Sequence, residues 1–166
     1  MLKGFAPIAS DDALILILGT MPSVASIQHG QYYGHPKNAF WRIIFGLWNE
    51  EPPLEYELRV KYLKEKRIAL WDVLKGCERQ GSADASIRKP QPNDFNILAD
   101  KCPNLEAIFF NSNNAAEYYK RLVKPDVFYN LKKTVLPSTS PARAMLFEKK
   151  QEMWMPVREA LDRILN

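Results

Sequence analysis

The sequence predicts an α/β protein, a three-layer sandwich with a central four-stranded parallel sheet flanked by helices. Three observations predict it. Leu14-Ile15-Leu16-Ile17-Leu18 is an unbroken apolar run stopped by Gly19, which suits a central parallel strand covered on both faces. Strand-like runs alternate with helix-like stretches along the chain, the pattern of repeated βαβ units. Polar turns follow all four candidate strands, at 19–23, 75–84, 111–114 and 137–143. A parallel sheet gathers such turns at one end, where α/β folds build their sites.

The elements follow in order. The first strand is 14–18. Asn38 then opens a helix in which Phe40, Ile43, Ile44, Leu47 and Trp48 recur at helical spacing and form a core face. Pro52-Pro53 ends that region. Residues 54–67 form a second helix, charged on one side. Residues 68–74 form the second strand, which runs into a polar loop, 75–92. Asn93 caps a helix reaching Asp100, with Pro103 just beyond. Residues 105–110 form the third strand and 115–123 the next helix. Thr134-Val135-Leu136 is a short fourth strand closed by Pro137. The last helix lies within 147–165, where Pro156 starts the regular portion or kinks it. Val157, Leu161, Ile164 and Leu165 give it an apolar face.

At 166 residues the chain reads as one domain, 1–166, able to bury about 70% of its unfolded surface without staples. The net charge of +4 permits a polyanionic partner and equally fits a solvated surface. Cys77 and Cys102 are the only cysteines and His29 and His35 the only histidines, which excludes an all-cysteine iron–sulfur cluster and disfavours a multi-histidine metal site. No cofactor and no metal are expected. The apolar run near the N-terminus is too short to span a bilayer, so a cytoplasmic protein with no membrane partner is expected.

The turn and loop after the first strand carry the most information. Between Gly19 and Trp41 there is no acidic residue, so an anion can approach without like-charge repulsion. Tyr32 and Tyr33 offer flat faces on which a base can stack, worth roughly 1–3 kcal/mol; they equally suit core or rim aromatics. Asn38 offers an acceptor and a donor, enough to hold a water, and it also stands where a helix N-cap belongs. His35 before Pro36 suits a turn. Leu136-Pro137-Ser138-Thr139-Ser140-Pro141-Ala142-Arg143 sets three hydroxyls between two prolines and ends on a cation, which suits phosphate contacts or an ordinary Ser/Thr turn. The loop 81–86 is polar, and Arg79, Arg88 and Lys89 flank it. Dinucleotide, P-loop, nucleophile-elbow and zinc-deaminase motifs are all missing.

Gly19-Thr20-Met21-Pro22-Ser23 together with Tyr33-Gly34-His35-Pro36-Lys37-Asn38-Ala39-Phe40-Trp41 resembles the first motif of the uracil-DNA glycosylase superfamily, in particular its hypoxanthine-DNA (DNA-deoxyinosine) glycosylase branch. Gly81-Ser82-Ala83-Asp84 is similar to a loop of the mismatch-specific thymine and uracil glycosylases. Phe109-Phe110-Asn111 looks like the end of their third strand, and Pro137-Ser138-Thr139-Ser140-Pro141 stands where the superfamily carries its Pro-Ser minor-groove loop. The resemblance runs from Leu14 to about Arg143. It departs at Met21, where many relatives carry a water-positioning Asp or Asn, and at Leu136, where some carry a His or Asn near the leaving base.

The resemblance implies a DNA glycosylase acting on double-stranded DNA that contains a damaged base; no lysine is placed as an imine-forming nucleophile, so a monofunctional enzyme is expected, and a monomer suits a DNA-scanning enzyme. It would hydrolyse the N-glycosidic bond of an extruded base and leave an abasic site. Hypoxanthine is the implied base; uracil, alone or in mismatches, is the alternative. Asn38 is implied to position the attacking water. Gly19, Thr20, Met21, Tyr33, His35 and Asn111 are implied to bind the base. Ser82, Ser138, Thr139, Ser140 and Arg143 are implied to bind DNA. A non-catalytic nucleic-acid-binding module and a small-molecule hydrolase are the alternatives from other classes.

Overall fold

The structure, a computed structural model, describes residues 1–166. A two-residue strand, β1 (Leu2–Lys3), precedes β2 (Ile15–Gly19), every residue of which is buried. Helix α1 (Val24–His29) follows at once. The Ser23 hydroxyl accepts the Ser26 N–H at its start, and Gly30 closes it in the left-handed region, φ 64°. Helix α2 (Phe40–Gly46) packs five of its seven residues into the core. Helix α3 (Tyr56–Glu65) then returns the chain to β3 (Ile68–Asp72), which is also buried throughout.

Strand β4 (Leu74–Glu78), a short 3-10 turn (Asp84–Ser86) and β5 (Arg88–Pro92) come next, followed by α4 (Asn96–Lys101), β6 (Ala107–Asn111) and α5 (Asn113–Leu122). The chain ends with β7 (Lys132–Leu136), α6 (Phe147–Met153) and α7 (Met155–Leu165). Strands β3-β2-β6-β7 lie side by side in that order, and all three pairings are parallel. The four-stranded parallel sheet flanked by helices is therefore as the sequence predicts. Full burial of β2, β3 and β6 follows from cover on both faces.

The structure departs from the sequence expectations in four places. Residues 24–29 form a helix, too short for its apolar period to register. The stretch 75–92 is not all loop: β1, β4 and β5 form a second, antiparallel sheet. Asn93 does not cap α4. Its Nδ2 donates to the Asp72 carbonyl at 2.8 Å, and Asp94 Oδ1 accepts the Asn96 N–H instead. The C-terminal helix is two helices meeting at Trp154, with Pro156 in the first turn of the second, where its missing N–H costs nothing.

Register carries the functional consequence. Gly19 is paired with Asp72, and Asn111 with Leu136, so all four parallel strands end at the same level. Their carboxyl-terminal residues form the floor of one cleft.

Candidate active site

The cleft has a volume of about 740 Å³, within the range of ligand pockets. The turn after β2 supplies Gly19, Thr20 and Met21; the loop before α2 supplies Tyr33 and Asn38. The 81–84 loop supplies Ser82, β6 supplies Asn111, and the loop after β7 supplies Ser138, Thr139, Ser140 and Arg143. One residue expected at the site is elsewhere. His35 does not line the cleft; its Nδ1 accepts the Lys37 N–H at 3.0 Å and shapes the turn before Asn38.

Tyr33 is held from two sides. Phe40 stacks on one face of its ring, with centroids 4.0 Å apart and planes at 19°. Its hydroxyl accepts from Asn111 Nδ2 at 3.1 Å. The backbone there has φ 54°, an uncommon conformation for a tyrosine. Burial, with the nearby Asp72 adding to it, pushes the phenol up, so it stays a proton donor. Tyr32 is a core residue rather than a stacking platform. Its hydroxyl donates to the Ala6 carbonyl at 2.8 Å, and its own carbonyl accepts the Trp41 indole N–H at 2.9 Å.

Asn111 and Thr139 line the cleft and also tie its walls together. Asn111 Nδ2 donates to Thr139 Oγ1 as well as to Tyr33, and its Oδ1 accepts the Thr139 N–H. Both donor hydrogens of the amide are therefore spent inside the protein. Thr139 is 1% exposed, which leaves it nothing to offer a phosphate. Its carbonyl accepts the Ala39 N–H at 3.0 Å, tying the loop after β7 to the start of α2.

Asn38 borders this seam. Its Oδ1 accepts the Phe40 N–H at 2.9 Å, so it does cap α2, from one position earlier than a standard N-cap, which is Ala39. It also lines the cleft. The cap uses one acceptor site of Oδ1 and neither hydrogen of Nδ2, so the amide can do both jobs at once. Ser138 Oγ and Ser140 Oγ accept the N–H groups two residues on, at 3.1 and 3.2 Å. Their hydroxyl hydrogens are left to donate to an anion.

Residues 6–162 match the uracil DNA glycosylase superfamily. A hypoxanthine DNA glycosylase of Methanosarcina acetivorans is 39% identical over 156 residues, covering 93% of this chain and 96% of the relative. One of Methanosarcina barkeri is 41% identical over 117 residues, 70% of this chain and 74% of the relative. A solution NMR structure from M. acetivorans, described as a candidate uracil DNA glycosylase, superposes with a TM-score of 0.82 at 37% identity, covering 96% of this chain and 98% of that one.

The chain belongs to the uracil DNA glycosylase superfamily. It is a DNA N-glycosylase, and DNA is its substrate.

In this glycosylase the loop after β7 is braced from behind by residues that sequence reading missed. Trp154, fully buried, donates its indole N–H to the Pro137 carbonyl at 2.8 Å. The buried Lys150 ammonium donates to the Arg143 carbonyl at 3.1 Å and lies 3.5 Å from that of Ser140. Burial, reinforced by the Arg143 guanidinium, pushes the Lys150 ammonium down. The opposite rim is tied by Arg79, which donates to the carbonyls of Pro22 and Gly81 and so is not a free DNA contact. The Ser82 oxygen accepts the Val24 N–H at 2.9 Å, which fixes its loop and, as at Ser138 and Ser140, leaves the hydroxyl hydrogen to donate.

The largest omission is Asp72. It ends β3 beside Gly19, is 4% exposed, and lines the cleft. Its Oδ2 is buried without a hydrogen-bond partner. A Cβ added at Gly19 would sit 2.5 Å from Asp72 Oδ1 and 2.8 Å from Tyr33 Oη. Glycine is thus required where strand, carboxyl and phenol converge. Burial, with the nearby Asp84 carboxylate adding to it and Arg79 opposing, pushes the Asp72 carboxyl up to about 7. The available signal was a carboxylate inside an otherwise apolar strand, Ile68-Ala69-Leu70-Trp71-Asp72-Val73.

Proposed function

We propose that this glycosylase hydrolyses the N-glycosidic bond of hypoxanthine in double-stranded DNA and leaves an abasic site without cutting the strand. The observation that carries the mechanism is Asn38, whose side-chain amide borders the cleft with Nδ2 left over from its capping bond. The chemistry follows from that amide. A neutral amide is a poor base, so it orients a water more than it deprotonates it. Orientation suffices when the sugar is already oxocarbenium-like, because the carbon under attack is then strongly electrophilic. The extruded nucleotide presents its base to the unstacked side of Tyr33, above the Gly19 turn. Ser138, Ser140 and Arg143 take phosphates, where hydroxyl hydrogens and a guanidinium are the right donors.

The preference for hypoxanthine draws on the names of the two Methanosarcina relatives. Uracil is the second reading, favoured by the description of the solution structure. The test is base release from matched duplexes bearing a single deoxyinosine or deoxyuridine, with strand breakage scored before and after alkali. Hypoxanthine release, breakage only after alkali, and loss of release in Asn38→Ala with duplex binding retained are expected. Faster release of uracil would overturn the substrate assignment, and breakage without alkali would overturn the monofunctional one.

A further inference from the structure

The buried carboxyl at the end of β3 has no part in the mechanism above. It sits on the cleft floor, against Gly19 and near the Tyr33 hydroxyl, and Oδ2 has no partner in the protein. Arg79 Nη1 is the other buried atom left unpaired, but only Asp72 lines the cleft, and an unpaired buried polar atom there marks a candidate catalytic or ligand contact.

The departing base calls for one. When a glycosidic bond breaks, its electron pair goes to the base, and an unprotonated base leaves as an anion. The titratable side chains lining the cleft are Tyr32, Tyr33, Asp72, Asp84 and Arg143. The Tyr32 proton is committed to the Ala6 carbonyl. Burial makes the Tyr33 phenol a weaker acid than usual. Arg143 does not give up a proton in water. Asp84 lies in the 3-10 turn and accepts from Asn114 Nδ2 at 3.3 Å. Neither histidine lines the cleft, and the last residue of β7 on its floor is the apolar Leu136.

We propose that Asp72 is the catalytic acid of this site, donating its carboxyl proton to the departing base while Asn38 holds the water. The inference rests on the glycosidase mechanism proposed above. The C1′–N bond breaks and its electron pair stays with the base. The Asp72 proton passes to a ring nitrogen or the carbonyl oxygen of that base, which leaves neutral. The water oxygen bonds to C1′, and the proton it sheds returns through solvent to the Asp72 carboxylate. Desolvation beneath the Gly19 turn keeps the carboxyl neutral into the physiological range, as a general acid requires. The charged and titratable groups around it are Asp84 from the 3-10 turn, Arg79 just after β4, and Tyr33 and Tyr32 from the loop before α2. Asp84 favours the neutral acid and Arg79 opposes it.

The test is single-turnover release of hypoxanthine from a deoxyinosine duplex, for the intact chain and Asp72→Asn, between about pH 5.5 and about pH 8. The wild-type rate is expected to fall above about pH 7, approaching tenfold per unit. Asp72→Asn keeps the shape of the carboxyl but has no proton to give. It is expected to be about 100-fold slower or more at pH 6, with that limb of the profile gone and duplex affinity retained. A merely structural Asp72 would leave the limb in place. A wild-type rate that stays flat to pH 8, or an Asp72→Asn rate equal to wild type, overturns the proposal. Should the variant not fold, the wild-type profile decides alone. Should only uracil be released, the hypoxanthine assignment fails and the same profiles on a deoxyuridine duplex decide the role of Asp72.

Discussion

At the scale of single residues, two side chains answer to opposite demands of stability and chemistry. Asn38 caps α2 and faces the cleft, so its loss has two separable costs. Asn38→Ala is expected to lower stability by about 1 kcal/mol, the worth of a helix cap, in denaturant unfolding. A larger loss of base release than that destabilisation explains assigns the residue to the chemistry. Asp72 works the other way, because a buried carboxyl destabilises the fold once it is charged. Its carboxyl is raised from 3.8 to about 7 in the folded state. A raised folded value means the stability tied to this group is full below the unfolded value and is lost as pH rises through the folded one. By linkage that loss accrues between the two values and totals at most about 4 kcal/mol once the pH is above 7. Asp72→Asn is therefore expected to melt higher than wild type at pH 8 and by a clearly smaller margin near pH 5, as thermal unfolding at the two values would read.

At the scale of elements, the loop after β7 illustrates how helices far along the chain shape a binding surface. It carries its own serine-to-backbone bonds, yet its position is set by Asn111 below it and by Lys150 and Trp154 behind it. Lys150→Met keeps most of the side-chain volume and removes the bond to the Arg143 carbonyl. Because burying an ammonium is costly, the net stability change is expected to stay within about 1 kcal/mol. Duplex affinity is expected to weaken, and amide exchange over 138–143 to quicken, since the loop loses its rear anchor. Unchanged exchange would show that Trp154 suffices. Gly19 makes the complementary case, where too little room matters. An added methyl would collide with Asp72 and Tyr33, so Gly19→Ala is expected to cost about 1–3 kcal/mol in thermal unfolding and to reduce base release.

At the scale of the whole molecule, a net charge of +4 is too small to make this a generic polyanion binder. On the reading proposed above, affinity comes from one placed cation and the hydroxyls at the cleft rim. Arg143 is the exposed cation on that rim. Arg143→Ala is expected to reduce the salt slope of duplex binding by about one unit, measured by titration across salt concentrations. The architecture that gathers these groups is simple: four parallel strands ending at one level, with a loop at the end of each.

That architecture was legible in the chain itself. The apolar runs of β2, β3 and β6 suit strands buried on both faces, their alternation with helices makes the sheet parallel, and polar turns after parallel strands converge at one end. The loop with Tyr33 and Asn38 was legible too, because its unusual residue types lie together in sequence. Tertiary structure decided what else enters the cleft. The absence of acidic residues from Gly19 to Trp41 suggested a site free of negative charge, but parallel pairing brings Asp72 beside Gly19, and Asp84 comes from the rim of the 81–84 loop. Likewise Asn111, Thr139 and His35 look like ligand contacts in sequence, and only packing shows the Asn111 amide hydrogens spent inside the protein, Thr139 buried, and His35 Nδ1 turned to the Lys37 N–H outside the cleft. The reason is common to all of them: apolar period and turn chemistry are properties of neighbouring residues, whereas burial and hydrogen-bond satisfaction belong to residues that meet only when the sheet closes.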